Sequence, residues 1–166
     1  MKKLVLVGTL MLVILMGVIC VGCDDEKIKF TIGVENKSGT SSENHSLITI
    51  IRSVQELDEI CDEVFYAQDL GGIEQFVSYD LKPLVTKYDT NYFETKAIIV
   101  YFLTHGSGST TTTLKSLSKN DDTLTLNVRH NVPSFGTDDM AYWTFVLEVE
   151  QKDIENIICV EVNTQN

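Results

Sequence analysis

The feature that most constrains the fold is a run of seven consecutive apolar residues, Ala97 to Leu103. A run of this kind without polar residues is typical of a strand that is buried on both faces. Residues 123–130 and 141–150 then alternate between apolar and polar side chains, which predicts strands with one face toward a core. Trp143 lies on the apolar face of the second segment, so we predict that it is a core residue.

Weaker signals extend this pattern in both directions. The segments 47–52, 109–118 and 157–162 are rich in β-branched residues and predict three further strands. Short connections between successive strands favour antiparallel pairing in chain order. The sheet is therefore expected to be an antiparallel meander.

One main helix is predicted after the first of these strands. Ser53 and Glu56 have the spacing of a capping box, in which each side chain binds a free backbone N–H at the start of a helix. Apolar residues then recur at helical spacing from Val54 to Val64. The predicted fold class is α+β: a single domain over 46–166, with a β-meander of about five strands and this helix packed on one face.

The first residues have the features of an export signal. Two lysines precede an apolar run, 4–21, and Gly22 stands directly before Cys23. This arrangement resembles the lipobox of bacterial lipoproteins, although Cys20 occupies a position that usually holds an aliphatic residue. We predict a signal peptide over 1–22, lipidation at Cys23 and a domain outside the cell membrane. An uncleaved membrane anchor and release after cleavage are the alternatives.

Residues 23–45 are polar and acidic, and they predict a flexible tether. Removing residues 1–22 removes two lysines and no acid, so the net charge changes from −11 to −13. A surface of this charge is repelled by nucleic acid and by anionic lipid headgroups. The predicted partners are therefore the membrane, through the lipid anchor alone, and a protein at the cell surface.

Two cysteines remain after the predicted signal peptide and lipidation site, Cys61 and Cys159. Outside the membrane they have the chemistry to form one disulfide. Alternatively, both are buried thiols that act as small apolar side chains. These two cysteines do not have a Cys-x-x-Cys spacing, and we predict neither a metal nor a cofactor.

The connections of the predicted meander with the most side chains suited to binding or catalysis are 104–109 and 131–140, which the strand directions place at the same end of the sheet. We predict that this end is an interaction edge. Gly106 and Gly108 are expected to permit a tight turn or a bulge. The candidate residues of the edge are His105, Ser107, Gly108, Ser109, His130, Phe135, Asp138, Asp139 and Tyr142.

Two enzymatic readings of the same loops are weaker. Ser107, His105 and Asp138 are the residue types of a hydrolase triad, but the loop lacks the Gly-x-Ser-x-Gly spacing of a nucleophile elbow. His130 and Asp139 add metal-ligand types without a diagnostic spacing. We therefore predict no catalytic residue and favour a non-enzymatic interaction module. A surface hydrolase or metal-dependent enzyme using 105–109 and 130–139, and a sensor of a small ligand or ion, are the alternatives.

Three motifs carry a resemblance over 92–149: Phe-Glu-Thr-Lys-Ala at 93–97, Ser-Gly-Ser at 107–109 and Thr-Asp-Asp-Met-Ala-Tyr-Trp at 137–143. They resemble a group of small lipoproteins from Gram-positive bacteria. More distantly, the segment is similar to the C-terminal domain of PrcB, a lipoprotein subunit of a surface protease complex. The resemblance implies an extracytoplasmic accessory module rather than an enzyme, and it supplies no catalytic residues.

Overall fold

The computed structural model describes residues 25–39, 46–62, 64–67, 75–78 and 86–165. The predicted signal peptide and Cys23 lie outside these ranges. The strands are β1 (Glu26–Ile28), β2 (Thr31–Gly39), β3 (Ser46–Ile51), β4 (Val64–Ala67), β5 (Gln75–Ser78), β6 (Lys96–His105), β7 (Thr111–Asn120), β8 (Thr123–Asn131), β9 (Ala141–Glu150) and β10 (Cys159–Gln165). The helices are α1 (Val54–Asp62) and α2 (Thr90–Phe93), and a short 3₁₀ turn spans Gln151–Ile154.

The fold is mostly β and contains two four-stranded sheets. Sheet A has the order β1-β7-β8-β10, and sheet B has the order β2-β9-β6-β3. All pairs within them are antiparallel except β8 and β10, which are parallel. The strands β4 and β5 form a separate antiparallel pair.

The predicted single meander of about five strands is wrong. The chain leaves sheet B after β6, forms the β7–β8 hairpin in sheet A and returns to sheet B as β9. Among β6 to β9, consecutive strands therefore pair only within that hairpin. The reason is that each of these strands has an apolar face, and two sheets stacked face to face bury those faces against one another.

The core between the two sheets contains the side chains that the alternating segments predict. Leu124, Leu126 and Val128 project from sheet A into this core. On the facing sheet, β9 contributes Trp143, Phe145, Leu147 and Val149. Trp143 is thus a core residue, as predicted, and its ring stacks on that of Phe145 at a centroid distance of 5.7 Å.

The strand β6 is buried on both faces, as its uninterrupted apolar sequence predicts. One face enters the core between the sheets, and the other forms a second apolar cluster that includes Val100 and Leu57 of α1. The predicted helix therefore covers the outer face of sheet B. At its start, Ser53 Oγ accepts the Glu56 N–H at 3.1 Å. The Glu56 carboxylate accepts the N–H of Arg52 at 2.7 Å, one residue before the position that the capping box predicts.

The predicted tether is wrong over residues 26–39. The strand β1 pairs with β7, and β2 pairs with β9 along nearly its whole length. Backbone hydrogen bonds satisfy such edge strands even where their side chains are polar, so composition alone underestimates their order.

The register of β1 also defines the two ends of the molecule. Glu26 pairs with Lys119, near the last residue of β7. The first residue of β7, Thr111, lies at the opposite end of that strand, beside the 106–110 connection. We call the end that holds Glu26 the entry end and the other the loop end.

Candidate functional site: two pinned loops

Two connections between the sheets meet at the loop end. Residues 106–110 connect β6 to β7, and residues 132–140 connect β8 to β9. We call these two segments together the loop edge. The sequence predicts that they lie at one end, and the hydrogen bonds between them confirm it.

Backbone and hydroxyl groups bind the two loops to one another. The Gly108 N–H donates to the backbone oxygen of Asp139 at 2.6 Å and lies 3.2 Å from its Oδ1. The Thr137 N–H donates to Ser107 Oγ at 3.0 Å, and the Ser107 and Ser109 hydroxyls are 2.8 Å apart. These bonds pin the long 132–140 loop against the short one.

Gly108 is required because the loops approach closely. A Cβ atom on this residue would lie 2.3 Å from Oδ2 of Asp139. The Gly108 backbone oxygen accepts a hydrogen bond from Lys37 Nζ, which also lies 5.5 Å from the centre of the Trp143 ring. The glycine thus admits a close contact, in addition to the turn that the sequence predicts.

Beneath the loops, two histidines from different sheets share one hydroxyl group. His105 ends β6, and its Nε2 lies 2.7 Å from Thr112 Oγ1. The same oxygen lies 2.9 Å from Nδ1 of His130, near the end of β8. The two imidazole rings meet edge to face, with centroids 4.8 Å apart. We call these three residues the histidine cluster.

The cluster favours neutral imidazoles. Burial, followed by the charge interactions with His130 and Lys37, lowers the pKa of His105 to about 4. Burial also lowers the pKa of His130. A single hydroxyl group donates one proton and accepts others, so Thr112 satisfies one ring nitrogen as donor and the other as acceptor while both rings are neutral.

Asp139, by contrast, is held in its charged form. The hydrogen bond from the Thr137 side chain, the Gly108 N–H and the charge of Lys37 together hold the pKa of Asp139 below its usual value. The carboxylate therefore stays ionised at pH values low enough to protonate an ordinary aspartate. The loop edge combines a neutral interior with an anionic surface.

The hydrolase arrangement does not form in the described residues. The His105 ring nitrogen is engaged with Thr112, whereas Ser107 Oγ is engaged with Ser109 and Thr137. The serine is thus held by other hydroxyl and amide groups rather than activated by the histidine. Across the described ranges there is no group of three or more His, Cys, Asp or Glu side chains with the spacing of a metal site.

Apolar side chains are exposed on the longer loop. Phe135 is 91% exposed and Val132 is 71% exposed. Asp138 is also exposed beside them. By contrast, Tyr142 is only 8% exposed, so its predicted place on the interaction edge is wrong. By strand alternation it shares the face of β9 that carries Val146, and that face is buried as well.

The structure describes the side chain of one of the two remaining cysteines. Cys159 begins β10, where it is exposed and carries a free thiol. The predicted disulfide is therefore not formed at Cys159, and the alternative of a buried apolar thiol is also wrong for this residue, because β10 is an edge strand of sheet A. Cys61 lies near the end of α1, and its side chain is outside the described residues.

Two residues of the site were missed by sequence reasoning. Lys37 lies in the segment predicted as a tether, and Thr112 lies in a strand whose inward face was not assigned. The signal for Thr112 was the strand alternation itself, since an inward polar residue needs a hydrogen-bond partner. For Lys37 the sequence contains no comparable signal.

Comparisons with known proteins find no matching family model, no matching curated protein and no matching solved structure. The resemblance described above therefore remains a prediction. In the described part of the chain, none of the helices has the length and apolarity that crossing a membrane requires.

Proposed function

We propose that this protein is a lipid-anchored module on the outer face of a cell membrane, and that its loop edge binds a protein partner without catalysing a reaction. The observation that carries the proposal is the exposure of Phe135 and Val132 on a loop that hydrogen bonds hold in place. Burying a phenylalanine side chain is worth about 2 kcal/mol. The fold leaves this free energy unused, whereas a partner would gain it.

The position of the predicted anchor supports this function. Only Asp24 and Asp25 separate Cys23 from β1, so a lipid on Cys23 would hold the entry end within about 10 Å of the membrane surface. Eight residue steps of β7 separate the partner of Glu26 from Thr111, a distance of about 27 Å. The loop edge would therefore face away from the membrane, where a partner has access.

Charge indicates the chemistry of the partner. The chain has a net charge of −11, and Asp138 and Asp139 flank the exposed apolar residues on the same loop. A binding surface with an apolar pocket and a basic rim complements this arrangement. We commit to a protein of that kind rather than to nucleic acid or an anionic lipid surface, both of which the charge repels.

The binding test uses the full-length chain in membranes with a photo-crosslinking residue at position 135. The matched control carries the crosslinker at Ile158, which is 85% exposed and adjoins the turn after β7 at the entry end. We expect one identified protein to crosslink at 135 and not at 158. In a binding assay with that purified protein, Phe135→Ala should weaken the affinity at least about tenfold. Equal crosslinking at both positions, or unchanged affinity, would contradict the proposal.

The anchor is tested separately by labelling cells with radioactive palmitate. Wild type should incorporate label, and Cys23→Ala should lose it. The matched variant Cys159→Ala removes an exposed thiol that we do not propose to be acylated, so its label should be unchanged. Equal labelling of wild type and Cys23→Ala would exclude lipidation at this residue.

A further inference from the structure

The histidine cluster lies where the loops of the loop edge join the strands. His105 is the last residue of β6, directly before the first loop, and Thr112 follows that loop at the start of β7. His130 is the second-last residue of β8, before the second loop. Ala141, which begins β9, pairs with His105 in sheet B. All four junctions between loops and strands therefore meet at this cluster.

We infer that the histidine cluster is a pH-sensitive latch: neutral imidazoles keep the two loops pinned, and protonation of the cluster loosens the loop edge. This inference deepens the proposed function, because it concerns regulation of the same binding edge. Its geometric basis is the single Thr112 hydroxyl that joins β6 in one sheet to β8 in the other.

The charges around the cluster determine the sign of the response. A proton on His105 would place a positive charge beside His130 on β8 and near Lys37 on β2. No carboxylate is among the groups that shift the pKa of His105; Asp139, on the second loop, interacts with the same lysine. A loosened loop edge separates the positive groups and lets water solvate the imidazolium, so acid favours the open state.

The pKa values set the range in which the latch responds. In the open state a histidine has an ordinary pKa of about 6.5, whereas the closed state holds His105 near 4. The closed state is therefore most favoured above about pH 6.5 and loses its advantage as the pH falls toward 4. Each unit of difference between the pKa values of His105 in the two states changes the ratio of open to closed molecules by up to tenfold.

Asp139 does not respond over the same range. Its pKa lies below the ordinary value of 3.8, so its carboxylate remains ionised at pH 4.5. Acid effects between pH 6.5 and 4.5 at these loops thus belong to the histidines rather than to the Gly108–Asp139 contact.

The test measures hydrogen-exchange protection at the Gly108 and Thr137 amides in the full-length chain, corrected for intrinsic exchange, at pH 7 and pH 4.5. We expect protection to fall at least about tenfold in the wild type. The double variant His105→Gln with His130→Asn replaces the Nε2 and Nδ1 positions with amides that keep the hydrogen bonds but do not titrate. Its protection should change less than twofold.

Amides of β7 near Lys119 serve as an internal control, since they lie at the entry end and should keep their protection at both pH values. If the double variant does not fold, the single variant His130→Asn is used, and its fall in protection should be smaller than that of the wild type. Constant protection in the wild type, or an equal fall in a folded variant, would overturn the latch. No partner is needed for this measurement, so failure of crosslinking at position 135 would refute the proposed function while leaving the latch intact.

Discussion

Two polar clusters pack against sheet B, and they use opposite chemistry. On its outer face, Glu148 accepts hydrogen bonds from Lys87 at 2.6 Å and from the Tyr88 hydroxyl at 2.9 Å. Burial opposes ionisation of Glu148, but these two bonds outweigh it and hold its pKa below the usual value. The histidine cluster instead consists of groups that are kept neutral. The first cluster is stabilised by charge and the second by the absence of charge.

The two clusters therefore respond differently to a change in pH. We call Lys87, Tyr88 and Glu148 the outer cluster. Glu148 keeps its charge from neutral pH down to below the ordinary carboxylate pKa, so the outer cluster is unchanged over the range in which the histidine cluster responds. The outer cluster also lies against a bulge in β2, where a Cβ at Gly33 would lie 2.2 Å from the Tyr88 hydroxyl. Its Tyr88 ring is buried and its Glu148 side chain is mostly buried, whereas Asp139 and Thr137 at the loop edge are exposed.

The largest effect is expected at Tyr88. Its ring is buried in the second apolar cluster, which also contains Val100 and Leu57. Burial, followed by the hydrogen bond to Glu148, raises the pKa of its hydroxyl group. Tyr88→Ala should lower the free energy of unfolding by about 3–5 kcal/mol in urea titrations, because a large buried ring is removed. The matched variant Tyr88→Phe, which loses only the hydroxyl group, should cost about 1.5 kcal/mol. Equal losses in the two variants would show that the hydroxyl group, not the ring, stabilises this face.

A smaller effect is expected at Thr112. Thr112→Val keeps the shape of a buried side chain but removes the oxygen that both imidazoles contact. The free energy of unfolding at pH 7 should fall by about 1–3 kcal/mol, since the ring nitrogens lose their partner. As a control, Thr113→Val changes the exposed residue next to it and should have an effect within about 0.5 kcal/mol. Equal stability of the two variants would mean that the cluster contributes nothing to folding.

The sequence predicts which side of each strand is buried, but not which strands pair. Leu124, Leu126 and Val128 alternate with polar residues, and alternation reports directly which side of a strand is buried. It does not report which strand lies alongside, because pairing is made by backbone groups that every residue has. The crossing of the chain from β6 to β7 between sheets therefore could not be read from local pattern.

The candidate site could likewise be predicted only in part. The loops that hold Ser107 and Asp139 could be placed at one end because strands alternate in direction whether they remain in one sheet or cross to another. The contact of Lys37 could not be predicted, since it depends on the register of β2 with β9 over a polar segment. Tyr142 was misplaced because the second buried face of β9 is covered by elements outside that strand.

The smallest effect on stability, and the sharpest separation of the two regions, is expected at Phe135. Phe135→Ala removes a ring that is 91% exposed, so the free energy of unfolding should change by less than about 0.5 kcal/mol. The matched control is Tyr88→Ala, which removes a similar ring from a buried position. Its loss of free energy of unfolding should be several times larger. A loss above 1 kcal/mol in Phe135→Ala would mean that the ring packs on the fold in solution, and it would remove the main support for a docking role. With unchanged stability, a loss of binding in this variant is assigned to the lost contact with the partner, because the loop that carries the residue remains folded.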